Sequence, residues 1–297
     1  MKKTLIGILV LLLVGCGAQG SHQDGHDQKE GTPNASEETN QSGETDAEEP
    51  DQDGSQDDDK EQDAEEEPAE EPAEEPAEEP AEEPEEDPVI TYTIHPANWT
   101  LKPDIETEDK VVLLTIDDAP DKHALEMAKK LKDLNVPAIF FVNGHFMDTD
   151  EEKDIVKEIH EMGFEIGNHT MSHANLRNSP EEKQRHEIVT LSEEIEALTG
   201  KAPRFFRAPF GINTDFSKKL MEEQGMLFMN WTYGYDWEKE YQTGESIADI
   251  MVNTPLLTNG SILLMHDRDW TNEGLVDIVK GLQNKGYIFV HPDQIVE

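Results

Sequence analysis

The chain has 297 residues, 67 of them acidic against 24 basic, which gives a formal net charge of −43. A surface of that sign excludes nucleic acid as a partner, and a single cysteine excludes any disulfide within the chain. Lys2 and Lys3 precede an apolar stretch over 5–14, the pattern of an export signal. That stretch is too short to cross a bilayer, which takes roughly 20 apolar residues.

Leu13-Val14-Gly15-Cys16 resembles the lipobox of bacterial lipoproteins. The resemblance implies a signal peptide over 1–15, acylation of Cys16, and a place on the outer face of the cell membrane. An ordinary secretory peptide with an incidental thiol is the alternative. Residues 17–88 hold 30 acidic against 2 basic residues and almost no large apolar side chain, closing in repeats of Ala69-Glu70-Glu71-Pro72 through Pro84. Such a segment cannot bury enough surface to offset the entropy of ordering. Residues 16–88 are therefore expected to be a disordered tether, with cation binding or plain solvation as the alternative. Residues 89–297, with 37 acidic and 20 basic residues, suffice for one domain with a sizeable core, expected to be a monomer.

Within that domain, short apolar runs alternate with amphipathic stretches of helical length. Strands are predicted over 111–116, 138–142, 164–167, 204–206, 227–230, 261–265 and 287–290. Helices are predicted over 123–134, 151–162, 180–198, 215–224 and 272–285, several followed by a glycine able to stop them: Gly163, Gly200, Gly225 and Gly286. Seven strand-helix units suggest an α/β barrel of parallel strands, although an open doubly wound sheet has the same local pattern.

Chemistry collects where the runs end. Val111 to Ile116 runs into Asp117-Asp118, Glu165 to Asn168 into His169-Thr170-Met171-Ser172-His173, Phe205-Phe206 into Arg207, and Ile262 to Met265 into His266. Polar groups just past the C-terminal ends of several strands are how a βα barrel gathers a catalytic set at one face. Carboxylates and imidazoles brought together there make a divalent-metal site with a carboxylate to spare.

Four stretches resemble the motifs of the polysaccharide deacetylase family, the NodB-homology carbohydrate esterases of family 4. They are Thr115-Ile116-Asp117-Asp118-Ala119-Pro120, Pro137 through Gly144, Gly167 through His173, and Thr199 through Gly211. The likeness covers essentially all of 111–290 and implies an irregular (β/α)7-type barrel. It further implies Asp118, His169 and His173 as ligands of Zn²⁺ or another divalent ion such as Co²⁺, with Asp117 as general base, or else as a further ligand. Arg207 would hold Asp117 ionised and aimed. The backbone N–H of Phe210, next to Pro209, would stabilise an oxyanion, and His266 would be the acid.

Trp231 through Trp237 occupies the place of a further family motif, loosely matched. Asp236 is the candidate to raise the pKa of His266, with Asp267 as fallback, while Trp237 and Leu264 would wall the acetyl methyl group. Ala119 stands where the family usually has glycine, a methyl expected to be tolerated. The implied activity is hydrolysis of N-acetyl groups on an amino-sugar polymer, foremost peptidoglycan N-acetylglucosamine at the cell surface. Chitin oligosaccharides and acetylated xylan are the other substrates to weigh, and a catalytically silent wall-binding lipoprotein is the alternative from another class. A metallopeptidase would need a His-Glu-x-x-His helix, which the sequence lacks.

Overall fold

The computed structural model describes residues 89–297; the expected export signal, Cys16 and the expected tether over 16–88 lie outside the described residues. All seven strands expected from the apolar runs form: β3 (Lys110–Ala119), β4 (Ile139–Val142), β5 (Glu165–Asn168), β6 (Phe205–Phe206), β7 (Leu227–Phe228), β8 (Ser261–His266) and β9 (Tyr287–Phe289). Two short strands, β1 (Tyr92–Ile94) and β2 (Leu101–Pro103), were not anticipated and pair antiparallel as a separate hairpin. Helices α1 (Ala124–Asp133), α2 (Asp150–Glu161), α5 (Asp215–Gln224) and α7 (Asp269–Asn284) match expectation to within a few residues, whereas α6 (Gly244–Asn253) went unpredicted. The long helix expected over 180–198 is present as α3 (Glu181–Arg185) and α4 (Leu191–Thr199), joined by a π-helical turn over His186–Thr190. Gly200 and Gly225 close α4 and α5 in the left-handed conformation.

The sheet runs β7-β6-β5-β4-β3-β8, every pairing parallel, with β9 beside the start of β3. Its two edges meet through the chain that leaves β7: Thr232 N–H donates to Ile262 O at 2.8 Å, and Leu264 N–H to Tyr233 O at 2.9 Å. The sheet thus curls into the irregular barrel expected, closed by this short seam.

Side chains alternate between the two faces of a strand, and here the alternation separates two cores. Val112, Leu114, Ile116, Phe140, Val142, Ile166, Leu263 and Met265 pack outward in a cluster shared with α1, α2, α4, α6 and α7. Val111, Leu113, Ile139, Phe141, Phe205 and Ile262 point inward, joined by Tyr92 and Leu101 of the hairpin and by Ile295. The hairpin therefore plugs the N-terminal end of the barrel, leaving the C-terminal end for chemistry.

Packing on the inner face is tight at Gly167 of β5, where an added Cβ would lie 2.5 Å from the Phe141 ring. Gly167→Ala is expected to cost about 1–3 kcal/mol through overpacking, measured as a lower urea midpoint with an unchanged slope. A midpoint equal to that of the parent would show that the ring has room to move.

Candidate active site

The inner-face parity carries straight into the site. Counting from inward Val111, Leu113 and Thr115 brings Asp117 to the inside, and the same rule brings His169 in after Gly167, Arg207 after Phe205, and Leu264 and His266 after Ile262. Asp118 breaks the rule. The register of β3 with β4 slips between Ile116 and Ala119, and Asp118 takes a left-handed φ of 62°. Such an irregularity re-aims a side chain, so two consecutive carboxylates face one cleft. Ala119 takes no positive φ and its methyl is fully buried in the outer core, so the departure from glycine is accommodated because the left-handed residue is its neighbour.

Asp118, His169 and His173 offer ligand atoms that lie within 4.8 Å of one another. Oδ1 of Asp118 faces Nε2 of His169 at 4.0 Å and Nε2 of His173 at 3.7 Å. His169 donates from Nδ1–H to the carbonyl of Arg207 at 2.7 Å, which leaves the lone pair of Nε2 free to ligate an ion. Burial lowers the pKa of both imidazoles, and for His173 the neighbouring His169 lowers it further. One carboxylate and two neutral imidazoles suit a divalent ion such as Zn²⁺ and leave coordination positions open. The two histidines do not share a helix, as their spacing could suggest; they meet across a bend with left-handed φ at Thr170 (72°) and His173 (51°).

Asp117 sits beside this cluster with Oδ2 at 3.5 Å from His169 Nε2, and its Oδ1 accepts from Nη1 of Arg207 at 2.7 Å. Arg207 is fully buried, and the same Nη1 reaches Thr115 Oγ1 at 2.7 Å while Nη2 donates to the Asn230 carbonyl at 3.1 Å. Its guanidinium also lies 4.4 Å from the centre of the Phe141 ring. Burial pushes its pKa down, and the charge and hydrogen bond of Asp117 offset that only in part.

Across the cleft, Asp236 holds His266 twice, accepting from its backbone N–H at 2.6 Å and bonding its Nδ1 at 2.7 Å. Thr271 Oγ1 donates to the same carboxylate at 2.9 Å. Asp267, the fallback partner, points outward. It accepts from the backbone N–H groups of Lys122, His123 and Ala124 at 2.8, 2.6 and 2.9 Å, capping the start of α1.

A cleft of about 340 Å³ opens over these groups, lined also by Phe210, Trp231, Trp237, Leu264 and Arg268. Phe210 is 60% exposed with a left-handed φ of 61°, and its ring meets that of His173 edge-on at 4.9 Å. Pro209 lies buried beneath it. Trp237 is 46% exposed and stands perpendicular to His266 with ring centres 5.7 Å apart. Two lining residues escaped the sequence reading. Trp231 follows Met229 on the inward parity beyond β7. Arg268, directly after His266-Asp267, donates from Nη2 to Asp118 Oδ2 at 3.0 Å and so leaves Oδ1 to the histidines.

Burial lowers the pKa of His266, but the charge and hydrogen bond of Asp236 outweigh it, and the net shift is upward from 6.5. A folded pKa above the unfolded one gives stability that is fully present below the unfolded value and is lost as pH rises through the folded value. An NMR titration of His266 is expected to place its midpoint above 6.5, and Asp236→Asn to bring it down. A parent midpoint at or below that value would contradict the pairing.

A family model for polysaccharide deacetylases matches residues 104–229. The chain is similar to a peptidoglycan-N-acetylglucosamine deacetylase of Bacillus cereus, 36% identical over 188 residues that cover 60% of this chain and 66% of the relative. It is also similar to the peptidoglycan-N-acetylmuramic acid deacetylase PdaA of Bacillus subtilis, 28% identical over 195 residues, 64% of this chain and 73% of the relative. Among solved structures, the Bc1960 peptidoglycan N-acetylglucosamine deacetylase superposes with a TM-score of 0.58 at 31% identity, over 64% of this chain and 90% of that one. Sequence and fold agree, and the chain belongs to the polysaccharide deacetylase family.

Proposed function

We propose that the domain over 89–297 is a metal-dependent hydrolase that removes N-acetyl groups from peptidoglycan N-acetylglucosamine. The observation that carries this reading is the placement of two proton carriers, held by partners of opposite charge, on either side of one ligand cluster. Asp117 is held against a fixed cation, and His266 against a fixed anion. The names of the Bacillus cereus relative and of the superposed structure support the substrate, and the export expected from the N-terminal sequence would bring the domain to the wall.

Zn²⁺ or Co²⁺ held by Asp118, His169 and His173 would polarise the acetamide carbonyl and lower the pKa of water beside it. Asp117, whose Oδ1 is taken by Arg207, has Oδ2 free to accept the proton as the water oxygen bonds to the carbonyl carbon. Arg207 holds that carboxylate in place through its other oxygen. The backbone N–H of Phe210 makes no hydrogen bond among the described residues, so it can donate to the oxygen that becomes negative. As the carbon–nitrogen bond breaks, protonated His266 delivers its Nε2 proton to the departing sugar amine, leaving acetate and a glucosamine unit. The raised pKa of His266 keeps that proton available near neutral pH. Leu264, almost fully buried in the cleft wall, and Trp237 bound a small apolar space suited to a methyl group.

The retained set of Asp117, Asp118, His169, His173, Arg207 and His266 argues for turnover over silent binding. Acetate released from N-acetylated glycan strands, lost on chelation and restored by Zn²⁺ or Co²⁺, tests the proposal; a folded, metal-loaded protein that releases none would overturn it. At the other end of the chain, Lys2, Lys3, the apolar stretch and the lipobox around Cys16 support export and lipid anchoring. Residues 16–88 would then be the spacer that lets the domain work within the wall. A fully extended path would reach about 200 Å.

Asp117→Asn is expected to keep the metal and lose activity by roughly 100-fold or more; loss of both together would mean that Asp117 and Asp118 have exchanged roles. His173→Ala should weaken metal binding, as equilibrium dialysis would record, and undiminished binding would remove it from the ligand set. Cys16→Ser should move the protein from the membrane fraction to the medium, and an unchanged distribution would count against the lipobox.

A further inference from the structure

The imidazole of His173 makes no hydrogen bond among the described residues, whereas that of His169 is tied to Arg207. Its side chain is 30% exposed, against 3% for His169. Beyond the edge of the Phe210 ring at 4.9 Å and the facing Asp118 Oδ1 at 3.7 Å, its position comes from its backbone, which has a left-handed φ of 51° three residues after Thr170 at 72°. Two such non-glycine residues so close together cost free energy and persist only where the surroundings hold them.

The holding group is a carboxylate that the reaction does not use. Glu187 is 2% exposed and takes part in none of the ion pairs among the described residues. Its Oε2 accepts from the backbone N–H of Ser172 at 2.8 Å, and its Oε1 from the Ser172 hydroxyl at 2.6 Å. Its own carbonyl accepts from Met171 N–H at 3.0 Å. Glu187 lies in the π-helical turn His186–Thr190, a feature found often at functional sites. The next carbonyl in that turn, Ile188 O, accepts from Asn168 Nδ2 at 2.8 Å, and Asn168 Oδ1 in turn accepts from Thr170 N–H at 2.9 Å. Both ends of the bend that separates the histidines are thus hung on one helical turn.

We propose that Glu187 is a positioning residue for the metal centre: by gripping Ser172 it keeps the bend in its left-handed form and presents the His173 imidazole, which has no hydrogen bond of its own, to the ion. This rests on the reading of Asp118, His169 and His173 as metal ligands. A carboxylate buried without a cation is costly unless its oxygens are satisfied, and each oxygen here is satisfied by the residue next to a ligand. Partners that orient metal ligands typically account for 10-fold to 100-fold in metal affinity.

The experiment measures Co²⁺ and Zn²⁺ affinity by competition with a chromophoric chelator, together with the visible spectrum of the Co²⁺-loaded protein. Binding by the parent establishes the metal site by itself, and failure there would sink the functional reading separately from this one. Glu187→Ala is expected to weaken binding by about 10-fold or more and to alter the Co²⁺ bands, as a lost imidazole ligand would. Glu187→Gln, whose amide can accept from the Ser172 N–H and donate to its hydroxyl, should stay within about three-fold of the parent. Affinity and bands of Glu187→Ala equal to the parent would overturn the proposal, as would a Glu187→Gln variant as weak as Glu187→Ala. Should Glu187→Ala not fold, Ser172→Ala decides: weaker metal binding supports the grip, and unchanged binding overturns it.

Discussion

The buried pair of Arg207 and Asp117 is the constraint around which the site is arranged. A guanidinium with no solvent exposure is costly to bury, and removing one partner of such a pair costs far more than the pair contributes. Arg207 avoids that penalty by spending its donors on Thr115, Asp117 and the Asn230 carbonyl, which come from β3 and from the segment that closes the barrel. Its own carbonyl orients His169. One residue therefore fixes the carboxylate proposed as base, the tautomer of a proposed ligand, and the approach of two parts of the barrel wall. The Phe141 ring beneath its guanidinium and the tight contact of that ring with Gly167 extend the same constraint into the core.

Much of this was legible in the chain because strand alternation is a rigid rule. Apolar runs such as Val111 to Ile116 and Ile262 to Met265 announce strands buried on both faces, and counting by twos from their interiors delivers Asp117, Leu264 and His266 to one side. The same count settles Asp236 against Asp267 as partner of His266, since Asp267 is one step off and belongs to the outer face. Asp118 was recognisable by family resemblance but not by counting, because its inward aim depends on a register slip and a left-handed backbone that no local pattern signals.

What stayed hidden depends on contacts between distant segments. The hairpin of β1 and β2 has three-residue strands, too short for alternation to register. The π-helical turn reads as ordinary helix, and the bend between the histidines is set by Glu187, fifteen positions away. Arg268 carries no motif, yet it occupies the second oxygen of Asp118. In a domain with such an excess of acidic residues, a cation at the cleft matters for how strongly two adjacent carboxylates repel each other.

The last residue of β8 and the one after it serve opposite sides of the wall: His266 looks into the cleft, and Asp267 seats the first turn of α1. Removing one residue from the middle of that strand would put Asp267 in the place of His266 and turn His266 outward into the place of Met265. The imidazole would leave the catalytic chamber at the same moment that α1 lost its anchoring carboxylate. Chemistry and architecture are thereby locked to a common phase along β8.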